Sequence, residues 1–177
     1  MKTDRSDKKL KLVCFYGPES TGKSTLAEKI ASHFHTVFVP EVAREIVDSN
    51  AFTLDDIKKI GLAQNRRIRE MREKARRVLI CDTDIITTRI YSEQYLGEAP
   101  LELDALEKEF HYDRYFLFDI DVPWVADGMR DLQNHRPAML EKFQKALDSR
   151  GIPYTWVRGN YEEREQFLIQ EIEKLIG

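Results

Sequence analysis

The chain has 177 residues, 42% of them hydrophobic and 33% charged, with a formal net charge of −3. Its near-neutral charge gives no global pull toward nucleic acid or an anionic membrane, and no apolar run approaches the ~20 residues that span a bilayer. The length and balance predict one domain with a core able to stand alone.

Residues 1–9 are polar and charged, lack the apolar stretch of a secretory signal and are expected to fray. Residues 10–177 are read as a single domain. Its first apolar run, Leu12 to Tyr16, reads as a buried strand, and it is followed at once by Gly17-Pro-Glu-Ser-Thr-Gly-Lys-Ser24. That octet fits G-x-x-x-x-G-K-[ST], and a helix start follows it. Glycines let main-chain N–H groups turn inward around an anion, and the helix N-terminus adds partial positive charge. The motif therefore predicts a P-loop. Lys23 would reach the β- and γ-phosphates of ATP, and the Ser24 hydroxyl would ligate Mg²⁺.

Four more apolar runs follow: Thr36 to Val39, Val78 to Cys81, Tyr115 to Phe118 and Tyr154 to Val157. They are mostly unbroken, as strands buried on both faces of a parallel sheet are. Helical patterns separate them. In Leu54 to Ala75, the residues Ile57, Ile60, Gln64, Ile68, Met71 and Ala75 recur at three- and four-residue steps. The last helix, Tyr161 to Ile176, opens on Asn160 with Glu163 three residues on, a capping-box pattern. The expected fold is α/β: a three-layer P-loop NTPase fold, a five-stranded parallel sheet flanked by helices. The aperiodic stretch of about 121–136 reads as a surface loop or lid. Cys14 and Cys81 fall in runs that should be neighbouring strands and read as buried, reduced thiols of a cytoplasmic protein.

Ligands of an open parallel sheet bind at the carboxyl ends of its strands. After the second run, Glu41, Arg44, Glu45 and Asp48 would share one face of a helix, and Val42, Ala43, Ile46 and Val47 the other. Glu41 lies just past the strand, pointing toward the phosphate site, and is the candidate functional carboxylate. After the third run comes Asp82-Thr83-Asp84. Asp82 ends an apolar strand, the usual position of a carboxylate that holds Mg²⁺. Asp84 is open between helix capping and substrate contact. Gln64 is the polar exception on an apolar stripe, either a satisfied structural amide or a base-reading one. Arg130 and Arg136 could swing in to stabilise the transferring phosphoryl group. The seven basic residues between Arg66 and Arg77 read as a solvated helix face rather than a nucleic-acid patch. The four histidines suggest no metal site.

Taken in order, Gly-Pro-Glu-Ser-Thr-Gly-Lys-Ser-Thr-Leu, Val-Pro-Glu-Val-Ala-Arg-Glu, Cys-Asp-Thr-Asp-Ile-Ile-Thr-Thr and Asp-Ile-Asp-Val-Pro-Trp closely resemble the ribosylnicotinamide kinase domain of NadR-type proteins, from about Leu12 to the last helix. The resemblance implies a nucleoside-kinase-like fold and ATP-dependent phosphorylation of the 5′-hydroxyl of nicotinamide riboside. It implies that Gly17, Glu19, Ser20, Thr21, Gly22, Lys23, Ser24 and Thr25 bind ATP phosphates, and that Asp82 supports Mg²⁺. Glu41, Arg44 and Asp84 would line the nucleoside site, Arg130 and Arg136 belong to the lid, and Gly159 and Asn160 would border adenine. Where the family often has Trp before Ser-Glu, this chain keeps an aromatic, Tyr91, to meet the pyridinium ring. The nucleotidyltransferase motif of full NadR proteins, H-x-G-H, does not occur, so the resemblance extends to the kinase step only. Glu41 is the expected proton acceptor, with Asp84 its rival. A kinase for another nucleoside or small metabolite is the nearest alternative, and a regulatory ATP-binding switch is another. An AAA-type motor would need a second helical domain, against which the chain's length speaks.

Overall fold

The computed structural model describes residues 9–125 and 133–177. Strands form at all five apolar runs: β1 (Lys11–Tyr16), β2 (Phe38–Val39), β3 (Val78–Asp82), β4 (Arg114–Phe118) and β5 (Tyr154–Val157). They pair in parallel in the order β2-β3-β1-β4-β5. The helices are α1 (Lys23–His33), α2 (Ala43–Ile46), α3 (Leu54–Arg72), α4 (Ile85–Leu96), α5 (Glu102–Glu109), α6 (Arg136–Ser149) and α7 (Tyr161–Ile176).

Both faces of the sheet are covered, which is why the strands read as unbroken apolar runs. Side chains alternate along each strand. Val13 and Phe15 of β1 pack with Leu26 and Ile30 of α1 and Leu168 and Ile172 of α7. Cys14 and Tyr16 pack on the other face, with Ile86 and Ile90 of α4 and Met139, Phe143 and Leu147 of α6. Farther along that face, Leu12, Leu79 and Cys81 meet Ile68 of α3. Cys14 and Cys81 stand opposite each other in the β1–β3 register, buried and unbonded.

Three local readings are corrected. Strand β2 starts at Phe38 rather than Thr36. The Thr36 hydroxyl instead donates to the Val78 carbonyl at 2.8 Å and accepts from the Arg76 N–H at 2.9 Å. Helix α3 stops at Arg72, short of Ala75, because the chain must turn into β3, which it does through Arg77 at φ +62°. Helix α2 is one turn, Ala43–Ile46. Glu41 therefore precedes it instead of sharing a helical face, and Ile46, expected on the apolar side, is exposed.

Caps set the other boundaries. Thr53 and Asp56 form a capping box that starts α3, and Asn160 and Glu163 form the one that starts α7. Arg136 and Pro137 sit in the first turn of α6, where proline's missing N–H costs nothing, so the lid stretch ends against a helix. The basic stretch lies largely exposed, with Arg67 paired to Glu45, Arg69 to Glu109, and Arg72 over the Phe110 ring. Among the described residues, no helix is long and apolar enough to cross a membrane.

Phe143 joins the layers behind the site. It is fully buried, packs edge-on against Tyr16 and Tyr91, and its carbonyl accepts from the Tyr16 hydroxyl at 2.8 Å. Phe143→Ala should cost about 3–5 kcal/mol in urea denaturation. A loss below about 1 kcal/mol would contradict this packing.

Candidate active site

The strand order makes the site. β1 is flanked by β3 on one side and β4 on the other, so the direction of chain growth reverses around it, and ligand crevices open at such points. The P-loop leaves the carboxyl end of β1. Gly17 has φ +135° and Gly22 has φ +87°, both left-handed values that favour glycine. Ser20, at φ +59°, adopts this conformation without being glycine. Gly22 ends the loop as N-cap of α1, which begins at Lys23. The Lys23 ammonium is largely buried and donates to the Pro18 carbonyl at 2.6 Å and to the Thr21 hydroxyl at 3.3 Å. The Thr21 hydroxyl in turn donates to Pro18 at 2.9 Å. The Ser20 hydroxyl accepts from the Val125 N–H at 2.7 Å. Thr25 is exposed one residue beyond Ser24.

Asp82 and Asp84, two residues apart, would project to the same side of a regular strand. Thr83 breaks that rule. It is β-branched yet has φ +74°, a strained value, and its N–H bonds back to the Phe15 carbonyl at 2.9 Å. The two carboxylates separate. Asp82 accepts from the Ser24 hydroxyl at 2.5 Å through Oδ2, while its buried Oδ1 has no hydrogen-bond partner among the described residues. Burial pushes its carboxyl up, against the opposing pulls of Lys23, Ser24 and Arg44. An oxygen-only pair next to the loop, with one lone-pair site left over, fits a hard cation such as Mg²⁺.

Asp84 goes the other way. Its Oδ1 accepts from the Thr87 N–H at 2.9 Å and the Thr87 hydroxyl at 3.0 Å, capping α4, and its Oδ2 accepts from the Tyr115 hydroxyl at 2.7 Å. Burial raises its pKa. Asp84 faces a small inner cavity with Asn65, Tyr112 and Tyr115, and it is not among the residues lining the main cleft. Of its two open readings, the contacts of Asp84 fill the capping one.

That main cleft, about 810 Å³ with the open solvent at its mouth included, runs from Gly17, Glu19 and Lys23 to Glu41, Arg44, Gln64 and Tyr91. Glu41 and Arg44 lie 4.0 Å apart as a partly exposed ion pair. Tyr91 stacks with Tyr95 at 6.5 Å between ring centres, and Phe52 meets Tyr95 edge-on at 5.4 Å. Burial and the charges of Glu19 and Glu41 raise the Tyr91 pKa, keeping its hydroxyl protonated. Gln64 is 2% exposed, and its Nε2 has no hydrogen-bond partner among the described residues. A structural amide would be satisfied, so a buried spare donor on the cleft wall favours the recognition reading.

Arg136, Gly159 and Asn160 stand outside the cleft. The Arg136 guanidinium donates to the Val122 carbonyl at 2.9 Å and the Ser20 carbonyl at 3.2 Å, and lies 5.8 Å from the Trp124 ring. In this arrangement Arg136 holds the Ser20 carbonyl of the P-loop. Arg130 lies outside the described residues. Gly159, at φ +96°, donates its N–H to Asp121 at 2.7 Å, and the Asn160 side chain is occupied in capping α7.

Sequence reading passed over Phe52, Tyr95, Thr88 and Arg164. Tyr91 and Tyr95 sit at an i, i+4 spacing that could have marked a shared face. Phe52 lies in a loop and carries no such signal.

The chain matches, over residues 12–164, the model of the AAA_28 family, described as AAA domain. It belongs to that family. It is 30% identical to the trifunctional NAD biosynthesis/regulator protein NadR of Salmonella typhimurium, over 95% of this chain and 43% of that protein. The chain thus spans less than half the length of the curated relatives it matches. Its fold is that of a NadR protein solved with NAD and AMP-PNP (TM-score 0.79, 21% identity, 94% of this chain and 49% of that one). A NadR protein solved with NR gives a TM-score of 0.78 at 22% identity, over 93% and 51%. Deoxyadenosine kinase from M. mycoides gives 0.68 at 10% identity, over 92% and 99%.

The Gln64 geometry makes a prediction that separates recognition from structure. Replacing a buried unsatisfied donor with an apolar group of similar size is neutral or stabilising. Gln64→Leu should therefore leave the urea midpoint unchanged or raised. A drop equivalent to about 2 kcal/mol or more would show that the amide is a structural contact.

Proposed function

We propose that this chain is an ATP-dependent kinase that transfers the γ-phosphoryl group of ATP to the 5′-hydroxyl of nicotinamide riboside, giving nicotinamide mononucleotide. The observation that carries the reading is the single cleft that joins the P-loop residues Gly17, Glu19 and Lys23 to an acidic, aromatic chamber at Glu41, Tyr91 and Tyr95. A phosphate donor and a flat, cationic nucleoside could meet there. The similarity to NadR, and the NadR complexes with AMP-PNP and with NR, support this choice of donor and acceptor. The AAA description names a P-loop domain and by itself no reaction.

Phosphoryl transfer asks for positioning and charge stabilisation more than covalent chemistry. Lys23 would bring its ammonium to the β- and γ-phosphates, exchanging the Pro18 carbonyl for phosphate oxygen. Ser24 and Asp82 would hold Mg²⁺, which when bound neutralises phosphate charge. Glu41 would accept the proton of the acceptor hydroxyl. Tyr91 and Tyr95 offer faces to an aromatic ring, and stacking against a cationic ring adds attraction. The spare Gln64 N–H would donate to a carbonyl on that ring, such as a carboxamide oxygen. Residues 10–177 would act as one catalytic domain. Cys14 and Cys81, buried and unbonded, suit the reducing cytoplasm, where ATP is also available.

A coupled ADP-release assay over a nucleoside panel tests this reading. Nicotinamide riboside should stimulate ADP release and yield its 5′-monophosphate, whereas stimulation by another nucleoside alone would reassign the acceptor, and stimulation by none would favour a switch. In the same assay Glu41→Gln should lower turnover by about 10²-fold with ATP affinity kept. An unchanged rate would remove Glu41 from the role of base.

A further inference from the structure

Arg164 is a large, wholly buried side chain, and it is charged. It stands in the first turn of α7, where a cation opposes the helix dipole. Burying a guanidinium costs several kcal/mol unless its donors are met. Here they are met almost entirely by main chain. Nε donates to the Gly159 carbonyl at 2.8 Å, one terminal nitrogen to the Thr21 carbonyl at 2.9 Å, and the other to the Asp119 carbonyl at 3.0 Å and to the Asp121 carboxylate. The guanidinium lies 5.8 Å from the Phe118 ring. Asp121 also accepts from the Gly159 N–H through its second oxygen. One side chain thus ties the P-loop, the end of β4 and the loop after β5 to α7.

The Thr21 contact has a directional consequence. The peptide between Thr21 and Gly22 is trans, so its C=O and N–H point in opposite directions. Arg164 takes the carbonyl, which turns the Gly22 N–H away from α7. Arg136 holds the preceding carbonyl, Ser20, in the same manner. Tyr161, three residues before Arg164, presses on the same spot: a Cβ on Gly22 would come within 2.4 Å of its ring. The loop's shape is therefore imposed by α7 as well as by its own glycines.

We infer that Arg164 is a positioning residue for the triphosphate: by holding the Thr21 carbonyl it aims the Gly22 N–H at the phosphates, and with Asp121 it fixes the Gly159 loop against the same nucleotide. This rests on the kinase reading above. It assigns Arg164 to the ATP side because the contact it makes with the P-loop is to Thr21, and no contact of Arg164 is with Glu41, Arg44, Gln64 or Tyr91 among the described residues.

The test uses the full chain with Arg164→Lys and Arg164→Gln. It measures binding of a fluorescent ATP analogue without acceptor, KM for ATP, KM for nicotinamide riboside, and the thermal midpoint. Loss of a charged hydrogen bond predicts that Arg164→Gln weakens ATP-analogue binding about 10-fold or more, with partial rescue in Arg164→Lys, while KM for the riboside moves less than about 2-fold. A lowered midpoint with unchanged analogue binding by the folded protein would show a merely structural role and overturn the inference. Equal rises in both KM values would overturn it too. If the Arg164 variants do not fold, Asp121→Asn decides: weaker analogue binding with an unchanged riboside KM supports the inference, and unchanged binding overturns it. If the wild-type chain binds no ATP analogue, the functional reading fails, and this inference with it. Analogue binding without riboside turnover leaves the inference standing, judged on binding alone.

Discussion

The Ser24 hydroxyl can reach the Asp82 carboxylate only because β1 and β3 are adjacent parallel strands, with Phe15 set opposite Asp82. A parallel sheet gathers the carboxyl ends of its strands on one edge, so loop and carboxylate emerge together. A one-residue slip in this pairing would turn Asp82 to the opposite face. The buried runs of β1 and β3 hold the register, since Val13, Phe15 and Ile80 fill one face and Cys14 and Leu79 the other. Asp82 tolerates burial because Lys23 and Ser24 stand beside it.

Around that pair the cleft divides into two chemistries. At one end the P-loop offers main-chain donors and an ammonium, suited to anions. At the other, the Glu41–Arg44 ion pair and two stacked tyrosines offer a polar group and π faces, suited to a polar molecule with a flat ring. Thr83 keeps the two carboxylates of its segment apart at the cost of a strained backbone, so one meets Ser24 beside the P-loop and the other caps α4. Strain at such a turn is affordable where the surrounding sheet over-determines it.

Much of this was legible in the sequence because its signals are local. Unbroken apolar runs located all five strands, the octet located the P-loop, and Asn160 with Glu163 located the last helix start. Glu41 and Arg44 were singled out by strand-end position and family resemblance, Tyr91 by resemblance and Gln64 as the polar break in an apolar stripe, and the fold brings these four to one cleft without Asp84. What escaped depends on backbone conformation. The divergence of Asp82 and Asp84 follows from one φ value at Thr83. The anchoring of Arg136 and Arg164 is to carbonyl groups, which every residue carries, so no residue pattern announces it. The truncated α2 follows the same logic: despite its apolar residues, the backbone turns extended at Val47 and ends the helix after one turn.

The central claim is that one cleft brings a triphosphate held by residues 17–24 to a riboside seated between Glu41 and Tyr91. A crystal structure of the chain with a non-hydrolysable ATP analogue, Mg²⁺ and nicotinamide riboside tests it most directly. The account predicts phosphates in the loop at Lys23, the cation at Ser24 and Asp82, and the 5′-hydroxyl facing Glu41 with the ring against Tyr91. An empty loop, or a riboside bound outside this cleft, would contradict it.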